Sequence, residues 1–439
     1  MPSLTLQLYS NGRWCDAATF SVEDETRGHL GLGILDYHLD YVAKHLSESR
    51  TVHALSCNYS VSFSNYRQEP WPAFLLDILP SGAGRRQWLQ RQGLKDEHSS
   101  DWALLGVGAG SPPGNLRIKE AVLKHAELIG PDASGLLHKG AIHPGFNRSD
   151  IIQRGEHFIE YAHQHDAATA GASDVQGEAP KFLLVEDRRG RWHAEGAIPD
   201  AQVAKHWLVK FPRGATQSDR DILRNECAYL EVARALGLHV GEALQYEGDA
   251  LFIPRFDRKV KPDYIERFGV ESLCSAAGIS QYGASPAHEL LLSAITCCSH
   301  SQSTDIVEYI CRDIINIILG NKDNHARNSA ILKSPTGHSA LSPLFDFAPM
   351  YLDNEGIARV CRWHKDYEQA GQPIWPKLVE HIEASYPTCN IEHLRARIRT
   401  LSAQLERLEE HMISAGVDDQ IIHTRLLSLA RQLPLLREV

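Results

Sequence analysis

One short segment, residues 320–328, carries side chains whose types and spacing fit phosphoryl transfer. Asp323 and Asn328 stand five residues apart, and Asp346 follows eighteen residues after Asn328. Phosphoryl transfer uses one aspartate to orient the nucleophile, an asparagine to hold magnesium, and a later aspartate to hold magnesium against the phosphates. The order of these three side chains therefore predicts a phosphotransfer site.

The same segment has an ordinary structural explanation as well. Asn321, Asp323 and Asn324 are turn formers, whose side chains commonly bond to nearby backbone. His325 lies among these polar groups and could contact a phosphate or simply structure the loop. A strand-like stretch at 341–345, which delivers Asp346 at the expected distance, favours the phosphotransfer interpretation.

Two lysines compete for the role of the phosphate-binding cation. Lys210 ends a β-like stretch, from which an ammonium could reach the phosphates as a point charge. Lys181 also adjoins a strand, so both remain candidates. Glu226, on the next helix, stands where a kinase places the carboxylate that pairs with its lysine, although a lone helical glutamate is usually a surface residue. No G-x-G-x-x-G loop precedes Lys210, and residues 171–177 are the candidate phosphate-covering segment.

A second motif, R-F-D-R at residues 255–258, follows the last strand of the β-rich half. At a hinge between two lobes, Phe256 would offer an apolar face to an adenine. The alternative is core packing for Phe256 with an ion pair of Asp257 to Arg255 and Arg258, and both interpretations are compatible.

The elements that would position these residues fall into a β-rich half and a helical half. Strands are predicted at 4–9, 54–63, 181–185, 206–211, 243–246 and 250–256. Helices are predicted between residue 80 and Trp88, at 149–163, 219–238, 286–298 and 304–319, and within 391–437. Residues 106–114 are predicted to form a loop. This pattern predicts an α+β, two-lobed, protein-kinase-like fold with a β-rich N-terminal part and a mainly α-helical C-terminal lobe.

Size and composition set wider limits. The 439 residues suggest several domains, which we place at 1–120, 121–258 and 259–439. The net charge of −10 argues against broad binding to nucleic acid or an anionic membrane. The nine cysteines form no C-x-x-C pair, and no signal sequence or apolar run of spanning length is present, which favours a cytoplasmic protein with no membrane contact.

Taken together, these motifs resemble the HipA family of bacterial toxin Ser/Thr kinases. The matching motifs are an N-E helix ending in L-G-L (225–238), the R-F-D-R hinge (255–258), a D-x-H-A-K-N loop (323–328), the later magnesium segment (342–346), and F-x-x-x-L-L-P…R-R (74–80 with Arg85 and Arg86). The combination in one order is highly specific, whereas each motif alone is not.

The resemblance implies ATP and Mg²⁺ as cofactors and a role for each matching residue. Asp323 corresponds to the catalytic aspartate, Asn328 and Asp346 to the magnesium ligands, and Lys210 to the lysine that binds ATP phosphates. Glu226, Phe256 and His325 are the further candidates for the ATP site.

Two departures from the family pattern concern the phosphate loop and the hinge. Ser173 corresponds to an inhibitory autophosphorylation site in the family's S-G-V-Q loop. Here Asp174 replaces the glycine, and three extra residues at 177–179 follow the loop. Pro254 stands where a glutamate commonly precedes R-F-D-R, so part of the nucleotide contact set is expected to differ.

The resemblance also implies a biological role. Such proteins act as growth-arresting toxins that phosphorylate a translation-related protein, typically an aminoacyl-tRNA synthetase. A small helix-turn-helix, HipB-like antitoxin usually neutralises them, and the acidic chain would reach DNA only through it. The alternatives are a small-molecule phosphotransferase of the aminoglycoside-kinase type, which the N-terminal hundred residues and R-F-D-R argue against, and a pseudokinase co-repressor, which the intact Asp323, Asn328 and Asp346 argue against.

Overall fold

The computed structural model describes residues 1–48, 52–129, 143–165, 180–354 and 356–439. The first part, here called the N-terminal unit, combines a five-stranded antiparallel sheet with five helices. Its elements are β1 (Ser3–Ser10), β2 (Arg13–Val22), β3 (Gly33–Tyr37), α1 (Leu39–His45), β4 (Tyr66–Gln68), α2 (Leu75–Ile78), α3 (Gly82–Gln92), α4 (Asp101–Gly108), β5 (Leu116–Ile118) and α5 (Lys119–Ile129). The strand order is β4-β3-β2-β1-β5.

The sequence anticipates the first hairpin of this unit. Asn11 and Gly12 adopt positive φ angles of 51° and 77°, the conformation of a tight hairpin turn, and connect β1 to β2. The predicted strand at 54–63 is wrong, because the segment forms turns with a single bridge from Ser56 to Tyr59. The Tyr37 hydroxyl, which donates to the Tyr59 carbonyl at 2.6 Å, holds this segment instead of a ladder. Residues 106–108 of the predicted loop belong to α4.

A second five-stranded antiparallel sheet, with the order β7-β6-β8-β10-β9, follows. The elements of this part are α6 (Arg148–Ile152), α7 (Glu156–Gln164), β6 (Lys181–Asp187), β7 (Trp192–Ala194), β8 (Val203–Lys210), α8 (Gln217–Ala235), β9 (Gln245–Glu247) and β10 (Ala250–Pro254). Aromatic side chains fill its core, notably Phe158, Phe182, Trp192, Trp207 and Phe252. The helix predicted at 149–163 is interrupted, because Arg154 takes a φ of 50° and Gly155 follows it.

The remaining part is mainly helical and also contains small sheets of two or three strands. Its elements are β11 (Arg258–Val260), β12 (Ile265–Arg267), β13 (Gly269–Ser272), α9 (Leu273–Ala276), α10 (His288–Cys298), α11 (Gln302–Leu319), β14 (Ala330–Lys333), β15 (Ser339–Leu341), β16 (Glu368–Gln369), β17 (Gln372–Pro373), α12 (Trp375–Ser385), α13 (Ile391–Leu405), α14 (Leu408–Ala415) and α15 (Asp419–Arg437). The long amphipathic stretch at 391–437 is therefore three helices, with Gly416 ending α14 at a φ of 80°.

The largest core lies around α11, which is buried along most of its length. The helix ends at Leu319, and because it is packed in the core, it gives the loop that follows a rigid attachment. Among the described helices, none is long and apolar enough to cross a bilayer.

Candidate active site

The two candidate lysines lie side by side at one end of the second sheet. Lys181 begins β6 and Lys210 ends β8, and the antiparallel register pairs them directly. Lys210 is only 4% exposed, and its Nζ donates a hydrogen bond to Glu226 Oε1 at 2.6 Å. The structure thus brings together the lysine and the helical glutamate that the sequence singled out.

Asp346 completes an ionic cluster with these lysines. Lys210 Nζ also donates to Asp346 Oδ1, and Lys181 Nζ lies 4.0 Å from Asp346 Oδ2. Burial alone would lower the pKa of the Lys210 ammonium. The negative charges of Asp346 and Glu226 raise it by more than burial lowers it, so the pKa lies above its ordinary value. Burial raises the pKa of Asp346, yet Lys210 and Lys181 hold it well below its usual range. Lys210 and Asp346 are therefore charged at neutral pH.

The backbone at Asp346 is unusual for a residue with a Cβ. Its φ is 55°, in the left-handed region, which costs such a residue roughly 1–2 kcal/mol. The Leu344 N–H donates to the His239 carbonyl at 2.8 Å, which fixes the chain just before the aspartate. Together with the Lys210 contact, this bond holds the Asp346 carboxylate at the cluster. Residues with such strained backbone are often found at functional sites.

The loop after α11 places Asp323, His325 and Asn328 close to one another. Gly320, at a φ of 73°, ends the helix. Asn328 Nδ2 donates to the Asp323 carbonyl at 2.9 Å, and His325 Nε2 lies 3.6 Å from Asp323 Oδ1. Burial raises the pKa of the Asp323 carboxyl, an effect that His325 partly opposes. Of the expected turn formers, Asn321 donates from Nδ2 to the side-chain oxygen of Asn316 at 3.0 Å, and Asn324 bonds residues 360 and 361, so the local backbone bonding expected of these two is wrong.

The side chain of Asn324, expected to bond nearby backbone as a turn former, instead connects this loop to a later segment. Asn324 Oδ1 accepts from the N–H groups of Val360 and Cys361 at 3.0 and 3.2 Å, and its Nδ2 donates to the Cys361 carbonyl at 3.1 Å. Three bonds from one side chain fix the position of its neighbour Asp323.

A cavity of about 250 Å³ lies beside this loop, and its polar lining includes Lys181, Lys210, Glu226, Asn328 and Asp346. Asp323 and His325 are not among the residues that line it. Its apolar lining comes from both lobes and includes Leu183, Leu208, Ile253, Phe256 and Leu344. Such a mixture of an apolar wall and a few convergent charges is typical of a small-molecule site.

The residues of the R-F-D-R motif have two different environments: Phe256 lines this cavity, and the three charged residues belong to a buried ionic network. Asp257 accepts from Arg255 Nε at 2.8 Å, from Arg258 Nη1 at 2.7 Å, and from the Gly114 N–H at 2.7 Å. Glu195, which the sequence-based reasoning missed, pairs with Arg255 as well. Phe256 instead lines the cavity, with its ring centre 5.7 Å from that of Phe345. The ion pairs expected of Asp257 are therefore confirmed, whereas Phe256 lines the cavity instead of packing in the core, and its contact with an adenine stays a prediction.

A family model for the HipA-like C-terminal domain matches residues 173–412. The chain belongs to the HipA-like family. The matched range contains Lys210, Glu226, Asp323, Asn328 and Asp346, the residues that meet at the cavity and its adjoining loop.

Two relatives from Sinorhizobium fredii are named provisionally as kinases. Y4dM is 25% identical over 310 residues, which cover 65% of this chain and 64% of Y4dM. Y4mE is 26% identical over 153 residues, which cover 33% of this chain and 34% of Y4mE. The match thus spans less than two thirds of either relative.

A solved complex of HipA, HipB and operator DNA from Shewanella oneidensis MR-1 contains a chain of the same fold. The TM-score is 0.64 at 16% identity, covering 99% of this chain and 97% of that chain. The predicted fold class, α+β with a β-rich N-terminal part and a helical C-terminal lobe in a kinase-like arrangement, is confirmed.

Not every predicted site residue of this HipA-like chain can be placed. Ser173 and the candidate phosphate-covering segment at 171–177 lie outside the described residues. Pro254 pairs with Trp207 in the sheet and lines the cavity, so the departure from the family pattern faces the predicted nucleotide.

Proposed function

We propose that this chain is an ATP- and Mg²⁺-dependent serine/threonine protein kinase that acts as the growth-arresting toxin of a toxin–antitoxin pair. The observation that carries the proposal is the contact of Lys210 with both Glu226 and Asp346 at a cavity that also has an apolar wall. A lysine fixed by a helical glutamate beside a metal-binding aspartate is the arrangement that protein kinases require.

The residues present fit a nucleotide with magnesium. Asn328 uses its Nδ2 to bond the Asp323 carbonyl, which leaves the amide oxygen as the donor for a hard cation. Asp346 is ionised and would supply a second oxygen ligand. Bound magnesium would neutralise phosphate charge there. Lys210 would hold the α- and β-phosphates, with Lys181 as a second cation at the same end.

Asp323 would orient the substrate hydroxyl and accept its proton. Burial raises the pKa of its carboxyl, which makes it a better proton acceptor than an exposed aspartate. His325, 3.6 Å away, lies where it can contact either this carboxylate or a phosphate.

The apolar part of the cavity would receive the adenine. Phe256 supplies an aromatic face, and Leu183, Leu208 and Ile253 from the second sheet supply aliphatic contacts. Since Pro254 has no N–H, the hinge would donate its backbone hydrogen bond from another residue. The proposed division at residues 120 and 258 places this hinge at a domain boundary.

The Shewanella complex supports the proposed partners. Its HipA is assembled with HipB and operator DNA. We therefore propose that this chain binds a helix-turn-helix, HipB-like antitoxin in the cytoplasm and reaches DNA through it. The proposed substrate is a translation-related protein such as an aminoacyl-tRNA synthetase. Autophosphorylation at Ser173 would appear as one added phosphate in the intact mass after incubation with Mg²⁺ and ATP.

Incubation with γ-labelled ATP and a cell lysate tests the activity. The parent chain should label a protein band, and Asp323→Asn should abolish the label. Asp366→Asn, which changes an exposed aspartate, is the matched control and should label as the parent does. Label confined to small metabolites would instead identify a small-molecule phosphotransferase. Absence of any transfer by the folded parent would contradict the kinase proposal.

A further inference from the structure

The N-terminal unit touches the catalytic loop through a buried ion pair. Arg327 lies between Ala326 and Asn328 in the short 3-10 turn that carries the predicted magnesium ligand. Its Nη1 donates to Asp77 Oδ1 at 2.7 Å, although Asp77 precedes it by 250 residues. The side chains of Arg327 and Asp77 are only 7% and 16% exposed.

Asp77 is itself held in place by a second segment. Ser272, at the end of β13, donates its N–H to Asp77 Oδ2 at 2.9 Å and its hydroxyl to Oδ1 at 2.8 Å. Ser272 is also the N-cap of α9, and its Oγ accepts a hydrogen bond from the Ser275 N–H at 3.0 Å. The Asp77 carboxylate therefore has a fixed orientation before it meets Arg327, and it can transmit that orientation to the loop.

The pair lies at the wall of the candidate active site. Asp77 and Arg327 line the same cavity as Asn328 and Asp346. The Arg327 guanidinium carbon also lies 5.3 Å from the centre of the ring of Tyr282, which lines the same cavity. A guanidinium buried at this depth needs a carboxylate partner, and its position is coupled to that of the next residue, Asn328, through the turn.

We propose that Asp77 is a positioning residue that acts through Arg327 to set the place of Asn328, so that the N-terminal unit is a working part of the phosphotransfer site. The proposal rests on the kinase activity proposed above. If Asp77 loses its charge, Arg327 must move toward water or another carboxylate, and the turn moves with it. Misplacement of a reacting constellation by about 1 Å costs on the order of 100-fold in rate.

Asp77→Asn tests the proposal because asparagine keeps the shape and its one oxygen can still accept one of the two hydrogen bonds from Ser272. The matched control is Asp101→Asn, which removes a charge from another buried carboxylate of the N-terminal unit, one paired with Arg85 at 2.7 Å and His29 at 2.6 Å. Asp77→Asn should lower kcat by about 10- to 100-fold while the KM for ATP stays within about twofold. Asp101→Asn should leave the kcat of the folded fraction unchanged.

Hydrogen exchange of the nucleotide-free protein gives a readout that does not need kinase activity. Backbone amides of residues 323–328 should exchange faster in Asp77→Asn than in the parent or in Asp101→Asn. If the parent transfers no phosphate, the kinase proposal fails, and this measurement alone still decides whether Asp77 positions the loop. Equal exchange in the parent and both variants would overturn the positioning role.

A double-mutant cycle tests whether Asp77 acts through Arg327. Adding Asp77→Asn to an Arg327→Gln chain should change kcat by less than about twofold, because the connection is already broken. Two reductions that multiply would show that Asp77 acts by another route and would overturn the proposal. Arg327→Lys, which keeps a cation, should retain more activity than Arg327→Gln, whereas a purely structural defect would show no such order.

Discussion

Replacing Glu226 by glutamine isolates the charge that holds Lys210. The amide keeps an oxygen near the Lys210 Nζ, which now lies 2.6 Å from the carboxylate, so the shape of the site is retained. A hydrogen bond between two charged groups lies near the upper end of the about 1.5–3 kcal/mol that charge-assisted bonds contribute, and a bond from an ammonium to a neutral amide oxygen lies near the lower end. The substitution should therefore weaken this contact by about 1–1.5 kcal/mol. If that contact orients Lys210 toward phosphates, kcat/KM for ATP should fall by about 5- to 13-fold.

Steady-state kinetics with varied ATP measures this change, and a thermal melt checks that the chain stays folded. The control is Glu231→Gln on the same helix, where the glutamate bonds Arg234 at 3.1 Å near the surface. The kcat/KM of the Glu231→Gln chain for ATP should match that of the parent. A Glu226→Gln chain with unchanged kcat/KM, or an equal loss in Glu231→Gln, would refute the role of the Lys210–Glu226 pair.

Three further predictions address the hinge and the second sheet. Arg255 and Arg258 share two buried carboxylates, Glu195 and Asp257, and Asp257→Ala removes one of them, which should lower the free energy of unfolding by about 3–5 kcal/mol in urea titrations. Phe256→Ala should weaken ATP binding in calorimetry by about 1–2 kcal/mol, because it removes apolar surface from the cavity wall. Burial lowers the pKa of His206 to about 3. The folded chain thus keeps it neutral while the unfolded chain binds a proton below about pH 6.5, so stability should fall with acidification by up to about 1.4 kcal/mol per pH unit, and His206→Gln should flatten that slope.

Each of these predictions has an outcome that would contradict it. An Asp257→Ala chain with the urea midpoint of the parent would mean that the ionic network contributes nothing to the folded state. Equal ATP affinity in Phe256→Ala would remove the aromatic ring from the nucleotide site. An acid-unfolding profile that does not change in His206→Gln would show that another group governs the loss of stability.

The parts of the fold that local patterns govern were predictable. The helical period at 219–238 and the glycine at its end correspond to α8 and to Gly237 at a φ of 72°. The apolar run before Gly320 corresponds to α11. Alternation and a tight turn identified β1, and the Lys210–Glu226 pair followed from a strand end and the next helix. These features depend on residues near one another in the chain.

The remaining contacts depend on tertiary packing that no local pattern encodes. Asp77 and Arg327 are 250 residues apart, and neither lies in a pattern that indicates the other. Glu195 follows a short strand as an ordinary acidic residue, and only the register of the second sheet brings it to Arg255. The segment at 54–63 has strand-forming residues, but its backbone at Leu55 and Tyr59 bonds to the Tyr37 hydroxyl instead of to a neighbouring strand. Side chains that reach between distant elements decided each of these cases.

The central claim is that Asp323 serves transfer of phosphate to a protein. Quantitative phosphoproteomics after inducing the parent chain and its Asp323→Asn variant in the same host tests it most directly. The account predicts growth arrest and one or a few serine or threonine sites that gain phosphate with the parent and stay unmodified with the variant. Arrest and identical phosphosites with both chains, at equal levels of folded protein, would contradict it.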